Sequence, residues 1–459
     1  MKPFSGISTI ALLCFGLFFS NCSTVPSLSH LPTLTPISPV VTTHIPYPIV
    51  LVHGLGQKSS VWDSYAVKYY EKELGLQFGG VLKKKNGRCI LEHGQSLKTD
   101  NSQNPPADFF TVSFSNPVDS IEAWRLELEQ YISLVLKRTN AEKVILIGYS
   151  MGGLASRSYL THHLNDHKVQ RLITIGTPHQ GSAFAKAYNW KTSITNALKS
   201  DPNFASKFLL EQSLSAVKAA ETDVPFDASA VRDLRRPQDG GMYLNKLGNT
   251  PHPLDVEYVS VVGDVQLLKE TTEFNKTAVQ ELLRRVLGVL GFGVESLFES
   301  GDGVVSVKSQ TMKEIPWFVQ DKNRQRISQT ITLSSVHEDH LKNSTEIQHV
   351  SLDDQPEFKG AEFYRTLGNT PALTIEFSDY LPPKLCTIEL VATDISGKKI
   401  KFSPTETGLV RKNNGSIIAQ TICYFPPEVN WNHNLDISIT VKNSFGNQFT
   451  ANKQWVVRE

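Results

Sequence analysis

The sequence predicts an α/β protein with a mostly parallel, doubly wound sheet and a helical insertion, followed by a small C-terminal β-sandwich. From Pro48 onward, short apolar runs alternate with amphipathic helical patterns, and glycine-rich segments follow several of the runs. Across residues 371–459, short strands separated by turn residues replace this alternation. A chain of 459 residues is long enough for two globular units, so we assign the two patterns to separate domains.

The apolar runs predict the strands of the first domain. Residues 120–138 have apolar side chains at the spacing of a helix with one buried face. Continuous apolar strands between such helices are typical of a parallel sheet covered on both faces, and active sites in such sheets lie beyond the carboxyl ends of the strands. The predicted strands are residues 49–52, 109–114, 144–147, 169–175, 256–262 and 331–333.

Charge argues against a nucleic-acid partner. The 46 Lys and Arg residues nearly cancel the 45 Asp and Glu residues, so the chain has no strong overall field that would attract a polyanion.

The N-terminal residues predict export. Lys2 precedes an apolar run at residues 7–19, which has the length of a signal peptide and is too short to span a membrane. The following Ser20-Asn21-Cys22 resembles a bacterial lipoprotein cleavage site, so we expect a signal peptide at 1–21 and an acylated Cys22. The protein would then be a lipoprotein of the outer membrane or cell surface, with the membrane surface as a partner. Plain secretion with an unmodified Cys22 is the alternative.

Residues 22–47 predict a tether between this anchor and the catalytic domain at 48–350. The segment is rich in Pro, Ser and Thr and has no acidic or basic residue, a composition typical of extended spacers.

The remaining cysteines leave an alternative open. Cys386 and Cys423 share the C-terminal region and either pair in an oxidising compartment or stay unpaired in adjacent strands, while Cys89 has no evident partner. Their spacings give no metal signature.

A long break in the strand–helix alternation predicts a lid at about 182–250. It contains a predicted helix at 204–220, and a second helical stretch at 277–298 is either a core-packed helix or a further part of the lid. A mobile apolar lid would open at a lipid surface, whereas a rigid cap would cover a pocket for soluble esters.

The strongest local motif is GYSMG at 148–152, a G-x-S-x-G element between an apolar strand and a helix. In that context the serine lies on a sharp turn with its hydroxyl exposed, which predicts Ser150 as a nucleophile. The oxyanion of the tetrahedral intermediate needs donors. We expect these to be the backbone amides of Met151 and of Leu55, which lies in HGLG (53–56); His53 itself is interpreted as structural.

Together with TPHQGS (177–182) and GDGVVS (301–306), these motifs resemble bacterial lipases and carboxylesterases of the α/β-hydrolase superfamily, a group that includes relatives of inositol deacylases. The resemblance covers roughly residues 45–350. It implies a Ser-Asp-His order along the chain, with Asp302 favoured over Asp264 as the acid.

The base is predicted in VHEDHL (336–341), directly after the last core strand. His337 is favoured and His340 is the alternative, because both lie in the loop where this fold places its histidine. His179, in TPHQGS, is interpreted as structural.

The predicted function is hydrolysis of carboxylic esters, most of all of lipids, through an acyl-enzyme on Ser150, with no metal or organic cofactor required. An acyltransferase or thioesterase on the same fold is the alternative, as is a surface adhesin with an inactive hydrolase scaffold.

Overall fold

A computed structural model describes residues 31–37, 42–92, 105–182, 185, 224–225, 227–264, 301–302, 304–335, 337–342 and 344–457. The signal peptide, Cys22, the segment at 277–298 and most of the predicted lid, including residues 204–220, lie outside these ranges. No helix within them is long and apolar enough to cross a membrane.

The first domain is an eight-stranded sheet flanked by helices. The strand order is β3-β2-β4-β1-β5-β6-β7-β8, and every neighbouring pair is parallel except the β2–β3 hairpin. The strands are Ile49–Val52 (β1), Phe78–Lys85 (β2), Arg88–Glu92 (β3), Phe109–Ser113 (β4), Val144–Tyr149 (β5), Val169–Ile175 (β6), Glu257–Gly263 (β7) and Ser328–Leu333 (β8).

Helices cover both faces of this sheet. The α-helices are Lys68–Lys72 (α1), Ile121–Thr139 (α2), Met151–His162 (α3), Ser229–Asp233 (α4), Met242–Asn249 (α5), Val307–Gln310 (α6), Pro316–Val319 (α7), Lys322–Arg326 (α8) and Ser344–Leu352 (α9). Short turns of 3₁₀ or π helix occupy Ser59–Trp62, Asp63–Val67, Pro237–Asp239, Met312–Glu314, His337–Leu341 and Pro383–Leu385.

Alternation along the strands explains why the apolar runs are continuous. In β1, Val50 and Val52 join a core that includes α2 and α3, whereas Ile49 and Leu51 join the core on the other face. A strand buried on both faces needs apolar residues at every position. This confirms the fold class predicted from the sequence.

The second domain is a β-sandwich of two antiparallel four-stranded sheets, ordered β13-β14-β10-β9 and β12-β11-β15-β16. We call this domain the sandwich. Its strands are Glu357–Arg365 (β9), Pro371–Ser378 (β10), Cys386–Asp394 (β11), Lys399–Phe402 (β12), Glu406–Arg411 (β13), Ile417–Tyr424 (β14), Leu435–Asn443 (β15) and Gln448–Trp455 (β16).

Two elements of the sandwich correct the sequence analysis. The predicted boundary at 371 was too late, because β9 pairs with β10 along its whole length. Cys386 and Cys423 are unpaired and lie in different sheets rather than in adjacent strands. Cys423 is buried in the sandwich core, whereas the Cys386 thiol lies 3.8 Å from the Asp379 carboxylate.

The predicted tether is also corrected where the structure describes it. Residues 31–37 and 42–47, which we call the N-terminal strap, pack on the folded body instead of forming a free spacer. Leu34 N donates to Arg365 O (2.8 Å), and Leu31 is buried in the sandwich core. Ile45 is fully buried against the eight-stranded sheet. The composition of the segment is typical of a spacer, but apolar side chains within it, Leu31 and Ile45, are buried in the cores of the two domains.

The sandwich docks at the amino edge of the eight-stranded sheet, the end at which the parallel strands begin. Arg171, near the start of β6, donates to Glu257 (2.7 Å) at the start of β7 and lies 4.5 Å from the Tyr380 ring centroid. Gln170 donates to the Tyr380 hydroxyl (3.0 Å). The carboxyl edge, where the strands end, is therefore left for the candidate site.

Candidate functional site

Ser150 forms a sharp turn between β5 and α3. Its backbone has φ 50° and ψ −122°, in a region that residues with a side chain rarely adopt. The Ser150 amide donates to Ile175 O (2.8 Å), and Ser150 O accepts from the Gly153 amide (3.1 Å), so the neighbouring strand and the helix hold the strained residue. Such a turn lifts the hydroxyl out of the sheet at the carboxyl edge.

Glycine is required around this turn because backbones approach closely. A Cβ on Gly152 would lie 2.4 Å from His53 O, and one on Gly148 would lie 2.5 Å from the Gly153 Cα. The serine turn therefore packs directly against the loop after β1.

A chain of hydrogen bonds runs from Ser150 to a buried carboxylate. Ser150 Oγ lies 3.1 Å from His337 Nε2, and His337 Nδ1 lies 2.7 Å from Asp302 Oδ2. Asp302 is 1% exposed and His337 is 7% exposed. The arrangement can remove the hydroxyl proton of Ser150 onto the imidazole while the carboxylate stabilises the resulting imidazolium.

Asp302 is held on both sides of its carboxylate. Oδ1 accepts from the Val304 amide (3.0 Å) and the Val305 amide (2.8 Å). Burial alone would raise the pKa of Asp302, but the charge of His337 and hydrogen bonds from His337 and His340 outweigh burial and hold the pKa below its ordinary value. The carboxylate is therefore ionised at neutral pH.

Gln310 fixes the loop of Asp302 to the end of β7. Its fully buried side chain accepts from the Gly263 amide (2.8 Å) and donates to Gly263 O (3.1 Å) and Val305 O (2.8 Å). These bonds satisfy backbone groups that the strand end would otherwise leave unpaired.

His337 is held by its backbone as well as by its ring. The His337 amide donates to Asp302 O (2.9 Å), and the His337 carbonyl accepts from the Tyr149 hydroxyl (2.9 Å). The centroids of the His337 and Tyr149 rings lie 5.2 Å apart. Tyr149 immediately precedes Ser150, so one residue ties the loop of His337 to the strand of the serine.

Two backbone amides are available for a developing negative charge. Met151 is the first residue of α3, where an amide has no acceptor within the helix. The Leu55 amide donates no hydrogen bond within the described ranges, and a Cβ on the adjacent Gly54 would lie 3.2 Å from Ser150 Cβ. The loop that contains Leu55 therefore contacts the serine turn, and the oxyanion role of the two amides stays a prediction.

The other histidines singled out in the sequence occupy different positions. His53 is buried, with Nδ1 2.8 Å from Gly54 O and Nε2 accepting from the Phe114 amide. His340 contacts Asp302 rather than Ser150, with Nε2 3.3 Å from Oδ2. Asp264, the alternative acid, donates its amide to Leu333 O (2.9 Å), whereas the acid beside His337 is Asp302.

Asp302, His337 and His340 also offer ligand atoms within 4.8 Å of one another, a spacing that a metal ion could bridge. The hydrogen bonds among the three groups account for the same spacing, so we derive no chemistry through a metal.

A buried cation supports the loops around the site. Arg157, on α3, is fully buried; it donates to His252 Nε2 (2.9 Å) and His179 O (3.1 Å), and burial lowers its pKa to about 9. Burial, followed by the charge of Arg157, holds the pKa of both His179 and His252 well below the ordinary value. Both imidazoles are therefore neutral, and His179 has a supporting position.

Sequence reasoning missed Gln310, Tyr149 and the contact of His340 with Asp302. Tyr149 lies inside the GYSMG motif, so its position was available, but nothing local indicates that its hydroxyl reaches His337. Gln310 lies in an ordinary polar stretch, and only the folded chain brings it to Gly263.

Comparison with known proteins finds similarity over part of the chain. Residues 46–221 match the model of a PGAP1-like alpha/beta domain. A triacylglycerol lipase from Pseudarthrobacter phenanthrenivorans is 30% identical over 166 residues, which cover 36% of this chain and 41% of that protein. A GPI inositol-deacylase from Candida albicans is 32% identical over 78 residues, covering 16% of this chain and 20% of that protein.

The match to the lipase relatives is partial, since it spans 41% and 37% of the length of two triacylglycerol lipases. Among solved structures, mature lipase BlEst2 from Bacillus licheniformis is 20% identical, with a TM-score of 0.36, covering 70% of this chain and 94% of that one. At that TM-score the fold assignment rests on the strand order itself. The sheet shows a doubly wound, mostly parallel α/β fold, and part of the chain is similar in sequence to a PGAP1-like domain and to triacylglycerol lipases.

Proposed function

We propose that the protein hydrolyses carboxylic esters, with Ser150 as the nucleophile, His337 as the general base and acid, and Asp302 as the group that orients His337. The observation that supports this most directly is the hydrogen-bonded chain from Ser150 through His337 to Asp302 on a strained serine turn. An ordinary buried serine would need neither the strain nor the imidazole.

In the first half-reaction, Ser150 Oγ attacks the ester carbonyl carbon while its proton moves to His337 Nε2. The carbonyl oxygen becomes an oxyanion, and the amides of Leu55 and Met151 stabilise it. The tetrahedral intermediate then expels the alcohol, which takes the proton from His337, and leaves an acyl group on Ser150.

In the second half-reaction, water attacks the acyl group and gives its proton to His337. The intermediate releases the carboxylic acid, and the proton returns to Ser150 Oγ. Asp302 stays ionised throughout, because its two oxygens keep their donors.

We propose lipid esters as the substrate class, since the sequence relatives include triacylglycerol lipases. Rates on p-nitrophenyl esters of graded chain length would test both activity and preference. Ser150→Ala should lower kcat by about 10³-fold or more on every ester. The matched control is Ser158→Ala, on the same helix with its hydroxyl 2.9 Å from the Tyr243 hydroxyl, and it should stay near the wild-type rate. Equal activity in Ser150→Ala and wild type would reject the proposal.

We further propose that the chain is exported and anchored through an acylated Cys22, with the ester in or near a lipid surface. The support is the apolar run at 7–19 followed by Cys22. Cys22→Ser should move the protein from the detergent-extracted membrane fraction to the aqueous fraction. An unchanged distribution would reject the anchor and leave the catalytic proposal intact.

A further inference from the structure

Four donors surround the Asp302 carboxylate. A catalytic acid that is held by two loop amides and orients one histidine would need only three. Two are the amides of Val304 and Val305 on Oδ1, and a third is His337 on Oδ2. The fourth is His340, whose Nε2 lies 3.3 Å from the same Oδ2. The two imidazoles therefore share one oxygen of the acid.

His340 is confined between the ends of two strands. It is fully buried, in the 3₁₀ turn His337–Leu341. A Cβ on Gly263, the last residue of β7, would lie 2.6 Å from His340 Nε2, and one on Gly176, just after β6, would lie 3.1 Å from its Cδ2. This packing leaves the ring little freedom to turn away from Asp302.

The hydrogen-bond pattern assigns the donor nitrogen of His340. An ionised carboxylate oxygen only accepts, so Nε2 carries the hydrogen. His340 Nδ1 is buried and has no partner within the described ranges. His340 therefore donates from Nε2 to Asp302.

We propose that His340 is a positioning residue of the hydrolase: its Nε2–H fixes Asp302 Oδ2 in the orientation that aligns His337 with Ser150. This inference rests on the proposed function. His340 is not the base in this arrangement, because its donor nitrogen is engaged with Asp302 and His337 is the imidazole in contact with Ser150.

The effect on catalysis follows from the transition state. When His337 takes the serine proton, the Asp302 carboxylate stabilises the resulting imidazolium. This stabilisation is lost if the carboxylate turns away from His337. A hydrogen bond to a buried charged group corresponds to a loss of about 10- to 100-fold in rate if it is expressed fully in the transition state.

The test compares two substitutions at one position in the full-length protein. His340→Gln retains an amide donor near the Nε2 position, whereas His340→Met fills similar space without a donor. We expect kcat of His340→Gln to stay within about threefold of wild type and kcat of His340→Met to fall about 10- to 100-fold with KM unchanged. His162→Met, at the exposed end of α3, is the control and should match wild type.

The split between kcat and KM, together with rescue by the conservative variant, separates positioning from general loosening. A lost donor to Asp302 should lower kcat without changing KM, and the amide of His340→Gln should restore kcat. General loosening would instead lower kcat in both variants together with their thermal midpoints.

Three outcomes would overturn the inference. The first is a His340→Met variant within threefold of wild type. The second is an equal loss of kcat in both variants with equal falls in thermal midpoint, which indicates packing alone. The third is both variants at the Ser150→Ala level while His337→Gln stays active, which makes His340 the base. If His340→Met does not fold, the donor-free His340→Leu takes its place. Failure of the proposed function is distinct, because wild type would then hydrolyse no ester.

Discussion

At the amino edge of the hydrolase sheet, the buried Arg171 meets Glu257, the ring of Tyr380 and the backbone carbonyls at the end of α9. At the carboxyl edge, the buried Asp302 meets two amides and two imidazoles. Both edges thus surround one buried charge with partners. At the amino edge the partners link two domains, whereas at the carboxyl edge one hydrogen-bonded chain ends on the partly exposed Ser150. Burial and charge are therefore alike at the two edges. What distinguishes the candidate active site from the domain interface is that its polar network ends on a partly exposed serine side chain.

The largest expected effect contrasts a histidine at each edge. His337→Gln should lower kcat on a soluble ester by about 10³-fold or more, because no base remains to take the serine proton. The matched control is His349→Gln, at the amino edge, where the ring centroid lies 3.7 Å from that of Phe445. It should keep the wild-type kcat. Similar losses of kcat in both variants would contradict the assignment of catalysis to the carboxyl edge alone.

The second effect concerns stability at the amino edge. Arg171→Met removes the donor to Glu257 Oε2 and to the carbonyls of Val350 and Asp353, so we expect a loss of about 2–3 kcal/mol in the free energy of unfolding. Urea denaturation measures it, and kcat of the folded variant should be unchanged. Lys401→Met, which removes an exposed ion pair with Glu389, is the control and should cost less than about 1 kcal/mol. A selective loss of kcat in Arg171→Met would contradict the separation of the edges.

A pH effect is expected from the neutral histidines beneath the site. Burial and the charge of Arg157 lower the pKa of His179 and His252 in the folded protein, so the unfolded chain binds more protons below pH ~6.5. The free energy of unfolding should therefore fall as pH drops below ~6.5, by up to about 1.4 kcal/mol per pH unit for each histidine.

Urea denaturation between pH 8 and 5 gives the slope. His252→Phe should reduce it, whereas the control His433→Gln, outside the hydrolase domain, should leave it unchanged. Equal slopes in wild type and His252→Phe would show that His252 does not contribute.

The smallest effect tests the N-terminal strap. Leu34→Pro removes the amide that donates to Arg365 O and should destabilise the sandwich by about 1 kcal/mol. Leu34→Ala retains the amide and is the matched control. If both variants lose the same stability, the side chain and not the hydrogen bond holds the strap.

The sequence was most informative where the structure is local. The GYSMG motif predicted the serine turn because strand, tight turn and helix follow one another within a few residues. The continuous apolar runs predicted β1 and β6 with their bounds, since strands buried on both faces are apolar throughout. Strand β2 was missed because its second half, LKKK, has three lysines, and because it lies next to the edge strand β3, with which it pairs antiparallel.

Residues that depend on contacts distant in sequence were harder to predict. His337 and His340 lie three residues apart in one short turn, so spacing alone left both as candidates for the base. The structure separates them by their contacts, Ser150 for one and Asp302 alone for the other, and their catalytic roles stay predictions. Gln310 contacts Gly263, 47 residues away along the chain. The N-terminal strap contacts Arg365, which lies 334 residues from Leu31. A local sequence pattern cannot predict either contact.

The central claim is that Ser150 is the activated nucleophile at the carboxyl edge. A fluorophosphonate probe reacts with such a serine when Oγ attacks phosphorus and fluoride leaves. Peptide mass spectrometry of the labelled full-length protein should find the adduct on Ser150, and prior Ser150→Ala or His337→Gln substitution should abolish the labelling. An adduct on another serine, or ester hydrolysis by a protein in which Ser150 stays unlabelled, would contradict the account.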